Sequence, residues 1–416
     1  MNPILSLEYF IPDVEARQWN DGKVYLYGSK DISGDDIYCS YEYQVFYSEN
    51  LNDWSTSGIS FTVDGIGADG KRLYAPDCIF KNGKYYLYYC LDGGKEGVAV
   101  SDNPEGPFRN LQIIEKALGI DPSVLVDDDG EVYYFWGQVN LKGAKLKENM
   151  VEIDSDTFQD KILTEKVEGF HEGSSIRKIH GLYYLVYADI SRGKATCLGY
   201  AISKSPLGPY EKKGIIIDNI GCDPETWNNH GSIQEINGKY YVFYHKSTHH
   251  SRYNRRVCIE PIQISDDGTI NEVEMTSQGV EGPIDCRRKL NASAFCILGG
   301  QAYLTSYEDS KVVYNYLNNI HCNDWIGIKY YDFSNNVSQC SVEASSCGYG
   351  GSIEIHLDSL EDLLIGEIKI GCTNGNYDFK EFVCDLSQQI TGTHAVYLKY
   401  IDMDGKSMKI KSICFH

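Results

Sequence analysis

A short motif recurs five times in the first two thirds of the chain, and this repetition limits the fold more than any other feature. Each copy has a polar start, alternating apolar residues, a turn containing glycine, and then a strand rich in tyrosine. The copies read PDVEARQWNDGKVYLYGS from Pro12, APDCIFKNGKYYLYYC from Ala75, DPSVLVDDDGEVYYFWG from Asp121, HEGSSIRKIHGLYYLVYA from His171 and HGSIQEINGKYYVFYH from His230. β-Branched and aromatic residues flank Asn-Gly, Asp-Gly and similar turns, whose positive φ positions suit two strands that twist together, so five β-hairpins are predicted. The equivalent tyrosines, Tyr25, Tyr86, Tyr134, Tyr184 and Tyr241, stand 48 to 61 residues apart, room for a four-stranded blade with its loops. The expected fold is all-β, a five-bladed β-propeller, and a propeller gathers the starts of its innermost strands at one mouth.

The register of the repeat carries the chemistry. Nine residues before the turn glycines Gly22, Gly130 and Gly181 stand Asp13, Asp121 and Glu172; eight before Gly238 stands His230, and nine before Gly83 stands Tyr74. A single Asp at a strand start is usually a turn or capping residue. Three carboxylates at one symmetry-related depth are not explained that way, because clustered like charges repel. They predict a catalytic pocket on the propeller axis. By contrast, Asp127, Asp128 and Asp129 lack the alternating ligand spacing and later bidentate Glu of a calcium loop, and are expected in a hairpin turn.

Composition narrows the partner. With 59 acidic against 38 basic residues and a formal charge of −21, the surface repels nucleic acid and anionic membrane, so neither is an expected partner. A neutral small substrate fits better. The 33 Tyr and 5 Trp offer rings with a polar handle suited to sugar faces, although any one Tyr is more simply a strand filler. The start of the chain shows no basic segment followed by an apolar one, and no stretch is long enough to span a bilayer, so a cytoplasmic chain with reduced cysteines is expected. The 14 Cys include no Cys-x-x-Cys pair, which weakens zinc and redox readings.

From about Pro3 to Met275 the chain resembles glycoside hydrolase family 43. The resemblance rests on the Asp-containing start of the first repeat, APD in the second, DPS with downstream DDG in the third, Glu-Gly in the fourth and HG in the fifth. It implies an inverting glycosidase, with Asp13 as general base, Glu172 as general acid and Asp121 as modulator of their pKa values. It further implies exo- or endo-acting enzymes on α-L-arabinofuranosides or β-D-xylosides, with galactofuranosides a third class; the lack of a secretion signal adds the expectation that short imported oligosaccharides are trimmed from a chain end. No cofactor is required, but His230 is similar to an imidazole that in some relatives contacts a metal or an ordered water, so Ca2+ at the propeller centre stands beside the plainer expectation of a satisfied core histidine. Arg256 resembles an arginine that points into the pocket, with Arg255 as its solvated neighbour, and Tyr74 stands where relatives carry an aromatic sugar platform. Two departures touch the pocket wall: Pro12 precedes Asp13 where the signature reads Asp-Pro, and Ser174 stands where Pro is common. A non-catalytic sugar-binding propeller and a retaining enzyme with Asp13 as nucleophile are the alternatives.

After EVEMTSQGVEGPID the pattern changes, which divides the chain into a catalytic domain over residues 1–283 and a second domain over residues 284–416. NDWIGIKYYDF, GSIEIHLDS, LLIGEIKIGC, THAVYLKYID and MKIKSICF alternate apolar and polar residues at the spacing of a β-sandwich. Their order resembles a family 6 carbohydrate-binding module, without the Asp usual before the final Phe. Tyr314, Asn315 and Trp325 are candidates to line a sugar cleft, core packing being the simpler role for Trp325.

Overall fold

The computed structural model describes residues 1–63, 71–309, 312–401 and 408–416, and most of these lie in strands or the turns between them. All five predicted hairpins are present: Glu15–Gln18 with Val24–Tyr27, Leu73–Lys81 with Lys84–Leu91, Ser123–Val126 with Val132–Trp136, Phe170–Ile179 with Leu182–Asp189, and Ser232–Ile236 with Lys239–Thr248. Asn82-Gly83, His180-Gly181 and Asn237-Gly238 have both residues at positive φ, between 50° and 78°. That is the mirror-image turn that matches strand twist. Asp127 sits in the third hairpin turn, where its backbone N–H meets the Glu131 carbonyl and its carboxylate accepts from Lys178 and Tyr183, as expected of a turn.

Each of the first four hairpins extends to a four-stranded antiparallel sheet, with its first strand at one edge. The fifth blade departs from the expected four strands, having three: Ser232–Ile236, Lys239–Thr248 and Ser251–Ile262. Its outer side is covered by the N-terminus instead. Ile4 N–H donates to the Val257 carbonyl at 3.1 Å, and the Asn2 side chain exchanges hydrogen bonds with the backbone of Ile259 at 2.9 and 3.0 Å. Neighbouring blades share apolar cores, and the one formed by Val14, Ala16 and Leu26 with Phe243, Val257 and Ile259 joins the first blade to the fifth. The ring is thereby closed.

Buried ions brace the axis. Arg17 of the first inner strand pairs with Asp77 of the second at 2.6 Å and donates to the Val124 carbonyl of the third, while Asp77 accepts from Val124 N–H. Arg177 of the fourth inner strand reaches Glu15 of the first at 2.7 Å. The first inner strand is therefore tied by charge to the second and fourth, and also to the fifth, whose Ser232 hydroxyl donates to the Val14 carbonyl at 2.9 Å.

The remaining strands make two facing sheets around a separate core that runs from Ile284 to Phe415. One sheet contains Trp325–Asp332, Thr393–Ile401, Gly351–Leu357 and Leu364–Ile370; the other contains Tyr303–Asp309, Val312–Asn318, Lys409–Phe415, Gln339–Ser345 and Lys380–Asp385. Asp402, at the end of one predicted run, lies outside the described residues. Trp325 packs beside Gly299, where a Cβ would lie 2.1 Å from the indole. Asn315 is enclosed, and Tyr314 stacks on Tyr307 with ring centroids 5.1 Å apart.

Removing Asp77 strands the Arg17 guanidinium in the channel, so Asp77→Ala should lose about 3–5 kcal/mol of stability by denaturant titration. The double change Arg17→Met with Asp77→Leu should lose less, because no unpaired charge is left.

Candidate active site

Asp13, Tyr74, Asp121, Glu172 and His230 line one cavity of about 350 Å³ where the inner strands begin. The repeat register thus converges as the symmetry argument requires. Asp13 and Asp121 precede their strands with φ of 56° and 58°, in the left-handed region that Asp and Asn tolerate better than most side chains. Glu172 lies within its strand, between register shifts at Phe170 and Ser175; such bulges re-aim side chains toward a site.

Asp13 is held by the fifth blade. Arg255 donates from Nη1 to its Oδ1 at 2.7 Å, while Nε and Nη2 of the same guanidinium grip Asp31 at 3.0 and 2.9 Å. His245 and His230 present Nδ1 at 3.5 and 3.8 Å from the same Asp13 oxygen. Burial by itself would raise the Asp13 carboxyl, but the Arg255 charge, helped by the two imidazoles, holds it well below the usual carboxylate range. Burial pushes the His230 imidazole down, against the opposing pull of Asp13, which favours its neutral form.

Asp121 is the opposite case. Burial, then the charge of Glu172, then that of Asp13 raise its carboxyl well above the ordinary value, despite a 3.0 Å hydrogen bond from Gly173 N–H. The charge of the half-buried Glu172 thus disfavours ionisation of the buried Asp121. Glu172 accepts from the Gln138 amide at 2.8 Å and from the Asn228 amide at 3.1 Å, which fixes its two oxygens in the pocket. The Tyr74 hydroxyl donates to Asp92 at 2.5 Å on the cavity wall.

The arginine expectation is reversed. Arg255 lines the cavity and is 2% exposed, whereas Arg256 is buried away from it over the Phe10 ring. Side chains alternate along a strand, so two adjacent arginines cannot both face the pocket, and the pairing places Arg255 opposite Ser247 and Arg256 opposite Lys246. Sequence reasoning also missed His245, Tyr38, Gln138, Asn228 and Asp92. His245 shared the tyrosine-rich fifth hairpin with His230 and was the one with a readable signal; the others come from loops or strand ends outside the repeat.

A propeller whose mouth holds three carboxylates at two contrasting protonation environments defines a glycoside-cleaving hydrolase, in which carboxyl groups serve as acid and base. Residues 1–270 match Glycosyl hydrolases family 43, and the chain belongs to that family. Residues 301–416 match Carbohydrate binding module (family 6). A xylosidase/arabinosidase of Thermoclostridium stercorarium is 29% identical over 99% of this chain and 98% of its own length. An arabinoxylan arabinofuranohydrolase of Paenibacillus polymyxa is 26% identical over 91% of this chain and 69% of its own. Among solved structures, a family 43 β-xylosidase/α-arabinofuranosidase from a compost metagenome, in a calcium-free form with xylotriose, superposes with TM-score 0.58 at 27% identity, covering 66% of this chain and 97% of its own. The chain is an inverting glycosidase, as the enzymes of that family are.

Replacing Asp121 by Asn keeps the left-handed backbone and removes a carboxyl that the folded protein prefers neutral. A raised pKa costs nothing while the unfolded chain also holds the proton and costs most once pH passes the folded value. Asp121→Asn should therefore melt higher than the parent at pH 7–8, with the difference closing toward pH ~4, where unfolded Asp is itself protonated; thermal scans across pH measure this.

Proposed function

We propose that the pocket hydrolyses α-L-arabinofuranosyl or β-D-xylosyl groups from the ends of oligosaccharides, with Asp13 as general base and Glu172 as general acid. The observation that carries this reading is the electrostatic contrast within the cavity: Arg255 holds Asp13 ionised, while burial and the charges of Glu172 and Asp13 raise the carboxyl of Asp121. Asp13 takes a proton from water as that water attacks the anomeric carbon, and Glu172 gives its proton to the departing glycosidic oxygen. Asp13 ends the cycle protonated and Glu172 ionised, so each must exchange a proton with solvent before the next turnover. Gln138 and Asn228 orient the acid, Asp121 is the third carboxyl of the pocket and the modulator of the other two, and Tyr74 with Asp92 forms a wall able to receive sugar hydroxyls. The substrate class is supported by relatives named for xylosidase, arabinosidase and arabinofuranohydrolase activity.

Calcium beside His230 fits this donor set poorly. A hard cation seeks six to eight oxygens, whereas the acids acting on His230 are Asp13 and Glu172, already bonded to Arg255 and to two amides. Among the described residues no cluster of three or more His, Cys, Asp or Glu is arranged to hold a metal.

Asp13→Asn should lower kcat by roughly 10²–10⁴ on every substrate, the usual value of one acid–base group. Glu172→Gln should be as slow on oligosaccharides yet retain far more activity on a 4-nitrophenyl glycoside, whose leaving group needs no proton. Initial rates on aryl arabinofuranoside, xyloside and galactofuranoside, with NMR of the first-formed anomer, test substrate and stereochemistry together. Retained configuration, or near-parental turnover of an oligosaccharide by Glu172→Gln, would remove the assignment.

A further inference from the structure

The alternation that turns Arg255 into the pocket sends Arg256 to the other face of the strand, where its guanidinium lies 4.2 Å from the Phe10 ring centroid and is 2% exposed as a residue. None of its three nitrogens has a hydrogen-bond partner among the described residues. Its neighbours do not neutralise it. Lys246, directly across the strand pair, is itself a buried cation whose ammonium is engaged by the carbonyls of Ser293 and Phe295 at 2.6 and 3.1 Å. His249, edge-on to Phe10 at 5.2 Å, bonds Thr248 and Ser306 through its two ring nitrogens, and burial followed by the charge of Arg256 pushes it down to about 3. The carboxylate whose charge acts on Arg256 is Glu8, which is exposed to solvent.

An enclosed guanidinium with five N–H donors and no acceptor is among the costliest groups a fold can contain. We propose that Arg256 holds a small monovalent anion of halide type, enclosed between the N-terminal segment, the fifth blade and the second domain. Two carbonyls already solvate the Lys246 ammonium, so the guanidinium of Arg256 is the cation left without any acceptor among the described residues, and a single small anion supplies one. A phenyl face on one side of the guanidinium, with the hydroxyls and the ammonium nearby already engaged, suits a weakly hydrated halide better than a phosphate, which requires several donors of its own. Ser293, Phe295 and Ser306 belong to the second domain, so the anion would help seat that domain on the propeller without touching the catalytic cavity.

Crystals of the full chain soaked in sodium bromide should show an anomalous peak within hydrogen-bonding range of the Arg256 guanidinium. At constant ionic strength, exchanging methanesulfonate for chloride or bromide should raise the melting temperature by about 2–4 °C, as a ligand confined to the native state does, and Arg256→Met should abolish that dependence. Ordered water alone at the guanidinium, or the Glu8 carboxylate folded onto it, would overturn the proposal, as would a halide-independent melting temperature in the parent. Should Arg256→Met fail to fold, the bromide peak and the halide response of the parent decide the matter.

Discussion

The pocket exists because five inner strands meet at one axis, and the buried ion pairs between those strands are what fix their mutual positions. Apolar cores between blades supply most of the burial, but they are non-directional. The contacts Arg17–Asp77 and Arg177–Glu15 are directional, and both start from the inner strand that follows Asp13. Such pairs add little net stability while making any displaced arrangement expensive, since separation leaves a charge unpaired in the interior. The same strand is held to the fifth blade by Ser232, and that blade is in turn covered by residues 2–4. Ring closure, the axis and the location of Asp13 are therefore one structural fact.

Within that frame a single side chain divides the electrostatics of the cavity. Arg255 bridges Asp13 and Asp31 and is oriented by three hydrogen bonds, so its charge is delivered to one side of the pocket with little freedom to move. Asp121 has no cation in that role and carries the cost of burial and of two like charges. Two aspartates in the same backbone conformation at equivalent strand starts thus favour opposite protonation states, because the groups around them come from different blades. Stability is lost at Asp121 to obtain that contrast, which is common where function and folding compete.

The repeat was readable because a hairpin is a local structure. Asn-Gly and His-Gly turns, alternating strands and tyrosine spacing all act over a few residues, and the structure has each hairpin where those signals stand. The three-stranded fifth blade was not readable, since what covers its edge is the other end of the chain, some 250 residues away in the sequence. The exchange of roles between Arg255 and Arg256 has a related cause. Alternation dictates that the two point opposite ways, but which face meets Asp13 depends on the packing of the fifth blade against the first.

The sequence alone determined the number of blades, the acids at their starts and the change of pattern near residue 284, because each is written in local periodicity. Tertiary structure alone decided which arginine faces Asp13, that His245 joins His230 beside it, and which amides hold Glu172. Those contacts join residues 34 to 242 positions apart; electrostatic interaction depends on distance in space, and only the closed ring sets that distance.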